Sequence, residues 1–191
     1  MFVADLLPSL LARRRGGALA ALVALSCSSP ELDTLTGISI APRPFSAEQI
    51  RAENPPGTVL LFRIERDGRV PILQETRFVS ADEKGAVIQV SFTDENGEAL
   101  GERSTSEATW RELRDHATFP ALHTGRLADW IEVPAGTFEC WLYTVSAASE
   151  GEPILTRYWF AKSRPGPPIQ VEVQRAGQTV MRTVLLQASH S

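Results

Sequence analysis

The sequence is short of the residues that build metal and disulfide chemistry. Its 191 residues carry 3 histidines and 2 cysteines. That leaves little for a zinc cluster and nothing for a disulfide framework. It also lacks a basic excess. With 19 Lys and Arg against 23 Asp and Glu, its formal charge is −4, which argues against a nucleic-acid binder. No apolar run approaches the ~20 residues that a membrane-spanning helix requires. G-x-S-x-G, P-loop, dinucleotide and D-x-D-x-D-G signatures are all missing, so no enzyme class or cofactor is indicated. With 43% hydrophobic residues, 13 Gly and 13 Pro, the composition is that of an ordinary globular domain.

What is present begins with an address. Arg13-Arg14-Arg15 precedes the apolar run Ala18–Leu25, and small residues follow, which is the layout of a secretory signal. Ala24-Leu25-Ser26-Cys27 resembles a bacterial lipobox, with Cys27 as the lipidated N-terminus. A plain signal peptide cut near Ser26 is the alternative. The expected division is a signal peptide over 1–26, a flexible tether over 27–44 and a β-rich domain over 45–191. Losing 1–26 removes three arginines and Asp5 and leaves a formal charge of −6. A chain of that charge has no electrostatic hold on anionic surfaces, so acyl chains on Cys27 would supply the membrane attachment. Ser28 after it favours the outer membrane.

From Thr58 onward, hydrophobic residues recur with period two. Leu60, Phe62 and Ile64 share a face, and Asp67-Gly68 closes a hairpin. Val70 through Phe78 return. Ile88–Phe92 follow, then a polar edge strand near Leu100–Thr105, and five more strands over 127–133, 137–145, 154–161, 169–175 and 179–186. Two capping boxes, Ser46 with Gln49 and Thr109 with Glu112, predict short helices. The second places Trp110, Leu113 and Ala117 on one stripe. The predicted fold is mainly β, a single antiparallel meander of about nine strands forming a curved sheet or open barrel, with two short helices.

The strands over 137–145 and 154–161 break the alternation. Phe138, Cys140 and Leu142 face one way, Trp141, Tyr143 and Val145 the other; Ile154, Tyr158 and Phe160 oppose Leu155 and Trp159. Such a sheet must be covered on both sides. Short helices and a sheet edge can supply that cover. The functional reading is an apolar cavity for a lipid or acyl chain, with Trp141, Tyr143, Leu155 and Trp159 as the candidate ligand face. By contrast, Gln170, Glu172 and Gln174 read as outward-facing.

Gly136-Thr-Phe-Glu-Cys-Trp141, Tyr158-Trp-Phe-Ala-Lys162 and Pro165-Gly-Pro-Pro168 resemble families of uncharacterised bacterial cell-envelope proteins that share this hairpin. These are loosely similar to periplasmic lipoprotein carriers, whose half-barrel sheets hold acyl chains under helices. The resemblance implies apolar-ligand binding by analogy and supplies no catalytic residues.

Other chemistry is weakly signalled. His116 and His123 are not at the i, i+4 spacing of a helical metal pair. Cys140 sits mid-strand, away from the helix N-terminus or cation that would activate a thiol. The acidic turns at Asp82 and Asp94 read as turns rather than cation sites. The leading expectation is an exported, lipid-anchored, non-catalytic envelope protein that binds an apolar ligand. The alternatives are an accessory subunit docked on another envelope protein or, less favoured, a hydrolase or metal enzyme using His116, His123 or Cys140.

Overall fold

The computed structural model describes residues 39–149 and 151–190. Nine strands form one antiparallel sheet: β1 (Thr58–Arg66), β2 (Ile72–Ala81), β3 (Gly85–Thr93), β4 (Ser104–Thr109), β5 (Thr124–Val133), β6 (Gly136–Ser149), β7 (Glu152–Ala161), β8 (Gln170–Arg175) and β9 (Gln178–His190). Their order is β4-β3-β2-β1-β9-β8-β7-β6-β5. Two meanders thus meet in the middle, where the first strand pairs with the last. The sheet is open, with β4 and β5 as free edges.

This order forces the rest of the architecture. The chain leaves β4 at one edge and must re-enter as β5 at the other, so residues 110–123 cross a face of the sheet. The crossing segment is apolar toward the strands: Trp110, Leu113, Ala117 and Phe119 are all buried. It contains α2 (Trp110–Asp115) and a 3-10 turn at Ala121–His123. The segment before β1 lies on the same face, with α1 (Ala47–Glu53), and Phe45 meets Phe160 edge-on. Both capping boxes form as the sequence predicts. Asn54 ends α1 and donates its side-chain amide to the carbonyls of Ile50 (2.8 Å) and Pro165 (2.9 Å), fastening the Pro-Gly-Pro-Pro loop to the helix.

The two-sided greasiness of β6 and β7 has two different covers. On the roofed face, Tyr143, Tyr158 and Phe160 pack against Phe119. On the opposite face, register links Val133, Cys140, Ala161 and Val184 through neighbouring strands, and all four are buried. There the sheet curls, and β5 touches β9 although three strands separate them in the order. The curl also corrects one expectation. Gln170 points away from the roof but is only 3% exposed, and its amide group bonds Arg182 (2.9 Å) and Glu172 (3.0 Å).

Boundaries differ where backbone chemistry intervenes. Val70 stays outside β2 and is exposed, because Pro71 after it has no N–H to offer a ladder. The polar edge strand lies at Ser104–Thr109 rather than 100–105, and Leu100 is left exposed in the preceding turn. Asp82 and Asp94 spend their carboxylates on backbone N–H groups of their own turns, at Lys84 and Gly85 and at Asn96 and Glu98. Those bonds hold both carboxyls below the usual range.

Candidate functional site

The four residues singled out from the sequence do not form one surface. Trp141 and Tyr143 stand on the roofed face, where their cross-strand neighbours are Phe160 and Tyr158. Trp159 and Leu155 project from the other side, opposite Leu142 and Ser146. The reason is the register itself: β6 and β7 pair odd positions with even ones, a relation invisible within either strand alone. Each aromatic is already engaged. Tyr143 is fully buried and donates its hydroxyl to the Pro42 carbonyl. Trp159 donates its indole N–H to Asp129 Oδ2 at 2.9 Å. Trp141 is half-buried, with the Arg126 guanidinium 3.8 Å and the Lys162 ammonium 4.0 Å from its ring centre. Leu155 is half-buried.

One apolar opening lies between roof and sheet. Phe45 and Ile50 from the first crossing, Leu113 and Ala117 from the second, and Pro167 from the fastened loop face Phe78, Tyr158, Phe160 and Val171 on the strands. The enclosed part is only about 50 Å³, well below the ~150 Å³ engineered cavity that holds benzene. Beyond that enclosed part the cleft is open to solvent. A ligand here would lie in a cleft rather than inside a closed chamber. The sequence signal for it is the Tyr158/Phe160 side of β7, opposite the side that carries Leu155 and Trp159.

The mouth is charged. Arg114 and His116 line it. Arg114, Arg43 and Arg111 approach the Asp115 carboxylate at 2.7, 3.3 and 3.8 Å. Glu48 on α1 also feels Arg114. Glu112 on α2 faces His116, so three guanidinium groups and three carboxylates give a rim of mixed charge around an apolar floor. Within the cleft, burial pushes the Tyr158 hydroxyl up to about 12, and burial does the same to Tyr143 beside it.

The remaining candidates separate. Cys140 is a free, buried thiol, pushed up to about 12 by burial and then by the carboxylates of Asp129 and Glu139. At neutral pH it is therefore protonated and a poor nucleophile. His116 caps α2, whereas His123 sits in the 3-10 turn; His190 Nδ1 lies 3.0 Å from Thr58 Oγ1 in the strand pair at the centre of the sheet. Among the described residues no group of three His, Cys, Asp or Glu could hold a metal ion, and no helix is long and apolar enough to cross a membrane. Cys27 lies outside the described residues.

No protein-family model matches the chain, nor does any curated protein. Solved structures do. The fold is similar to that of a chain in the Pseudomonas aeruginosa MucA/MucB complex, with a TM-score of 0.50 and 13% identity over 75% of this chain and 53% of that one. MucB in another structure gives 0.49 at 12% identity, over 75% and 57%. A candidate lipoprotein of Parabacteroides distasonis gives 0.48 at 10% identity, over 71% and 97%. At such identities the likeness is one of fold. The chain spans about half the length of the MucB chains it matches.

Proposed function

We propose that this is an exported, lipid-anchored, non-catalytic envelope protein whose roofed cleft takes the acyl chain of an amphiphile. The observation that carries this reading is the cleft: an apolar floor and roof, with Arg114 and His116 at its rim. A hydrocarbon tail buries against Phe78, Leu113 and Val171, gaining about 25 cal/mol per Å² of apolar surface removed from water. The polar head meets the mixed charges of the rim. The small enclosed volume requires the tail to lie along the cleft or the roof to lift, and the roof is joined to the sheet by side-chain packing rather than by a strand ladder.

A second reading rests on a separate observation. β5 is a free edge, and Trp130 and Leu127 on it are 69% and 54% exposed, on opposite faces of the strand. That is a surface suited to an envelope protein partner, as the MucA/MucB pairing illustrates for a protein of similar fold.

Native mass spectrometry of protein extracted from membranes distinguishes the readings. The first expects a co-purified lipid, and a fluorescent fatty acid that the purified protein binds. Ala117→Phe, which fills the cleft from the roof, is expected to weaken that binding by about tenfold or more with an unchanged circular dichroism spectrum. A protein adduct without lipid, and no fatty-acid binding, would transfer the case to the β5 edge. The anchor has its own experiment. Cys27→Ala is expected to move the protein from the membrane to the soluble fraction, and retention in the membrane would refute lipidation as the means of attachment.

A further inference from the structure

The two edges of the sheet are unequal. β4 is six residues long and reads Ser-Thr-Ser-Glu-Ala-Thr, with little to bury. β5 runs for ten residues, and its pairing with β6 continues from Thr124↔Val145 to Val133↔Gly136 without a bulge. It contains neither proline nor lysine, two of the devices that keep edge strands apart. Its backbone is also turned to receive a neighbour. The Lys162 N–H donates to the Glu139 carbonyl at 2.8 Å, so the Glu139 backbone faces β7. Trp130, opposite Glu139, therefore points its own N–H and C=O away from β6, and Arg126, Ala128 and Glu132 do the same. All four residues are exposed. One of these donors is occupied locally: Asp129 Oδ1 accepts the Trp130 N–H at 2.9 Å, while Oδ2 holds the Trp159 indole.

A strand fits such an edge, and β5 is complementary to itself. Two copies related by a two-fold axis normal to the sheet pair antiparallel, with the residue on the axis opposite its own counterpart. An axis at Asp129 sets two carboxylates against each other, and an axis at Leu127 or Trp130 shortens the ladder. An axis at Ala128 opposes one small residue to another and engages the strand from Thr124 to Glu132. Arg126 then comes opposite Trp130 of the second copy and diagonal to its Glu132. The Arg126 guanidinium, already 3.8 Å from the Trp141 ring centre, gains a second indole and a carboxylate. On the other face Leu127, 54% exposed, lies diagonal to the second copy's Leu127 and Ile131.

We propose that two copies of this protein join their sheets along β5, antiparallel and centred on Ala128, with the Trp130 N–H passing from Asp129 to the Arg126 carbonyl of the second copy. A second copy is an occupant that the partner reading above does not name, and the pairing does not depend on what the cleft binds.

Ala128→Cys tests the contact and its register together. In this pairing the two introduced thiols face each other with Cα atoms about 5.5 Å apart, inside the range a disulfide spans. Oxidation of the purified protein by copper phenanthroline at micromolar concentration is expected to give a covalent dimer above the level of the unaltered chain, whose Cys140 is buried. Trp130→Cys, about 14 Å from its counterpart, is expected to stay uncrosslinked. Sedimentation of the unaltered protein should show a monomer–dimer equilibrium. Trp130→Lys, which sets an ammonium opposite Arg126, should weaken it by about tenfold. Trp130 is 69% exposed, so the circular dichroism of that variant is expected to match the unaltered chain. Crosslinking through Trp130→Cys and not Ala128→Cys overturns the register, and a dimer that neither thiol traps overturns β5 as its edge. A monomer at every concentration up to about 100 μM overturns the self-association. A different protein found on β5 in membranes, with the pure chain monomeric, overturns it too and leaves the partner reading standing.

Discussion

Trp110→Ala is expected to cost the domain about 3–5 kcal/mol, the range for deleting a large buried aromatic. Trp110 is 4% exposed and stacks on Phe78 with ring centres 6.5 Å apart and planes 8° from parallel. Its indole N–H donates to the Asp82 carbonyl at 2.9 Å, so one side chain fastens the start of α2 both to the face of β2 and to the β2–β3 turn. The six-residue helix has too few turns to hold itself in place. Its neighbour Leu113 and its stacking partner Phe78 both line the cleft. Losing the indole therefore loosens the roof as well as the core. Urea denaturation should show a lower midpoint, and Trp110→Phe, which keeps a ring but loses the bond, should fall between the two. A loss below about 1 kcal/mol for Trp110→Ala would mean that α2 does not pack on the sheet in solution.

The same stripe shows how much the sequence could reveal. Trp110, Leu113 and Ala117 are legible as one face of a capped helix because helical period and capping are local. The nine strands are legible for the same reason, as is the need for cover on both sides of β6 and β7. Which side chains share a surface is not, since that depends on register between strands. Trp141 and Trp159 each sit in a greasy strand, and only the Trp141↔Phe160 pairing shows that they point apart. The burial of Gln170 is hidden too, because period two assigns a face but not whether a curl closes over it. The roof over the sheet is likewise a consequence of topology: β4 and β5 become opposite edges only when β1 pairs with β9. The cleft is half legible. Tyr158 and Phe160 read as apolar, and Leu113 and Ala117 as a buried stripe, but nothing local brings those two sets together.

Alkali should unfold the protein well before it would unfold a domain with exposed phenols. The chain has 2 tyrosines, Tyr143 and Tyr158, and burial raises both from 10.0 to about 12. Cys140 moves the same way, from 9.0 to about 12. A group that holds its proton more tightly when folded stabilises the fold fully below its unfolded pKa. That contribution is lost as the pH climbs through the folded value. The thiol thus begins to erode stability near pH 9, and the phenols join above pH 10. By pH 12 each group has withdrawn up to ~1.4 kcal/mol for every pH unit that separates its folded pKa from its unfolded one. Three such groups together put a large share of an ordinary 5–15 kcal/mol stability at risk. Urea midpoints measured from pH 8 to 12 should fall along this course, and Tyr143→Phe with Tyr158→Phe should flatten it above pH 10. Because the chain has no other tyrosine, tyrosinate absorbance reports on these two rings alone. It should rise in step with the loss of circular dichroism. Phenols that titrate near pH 10 while the sheet stays intact would show that the roof leaves them open to water, and the cleft with them.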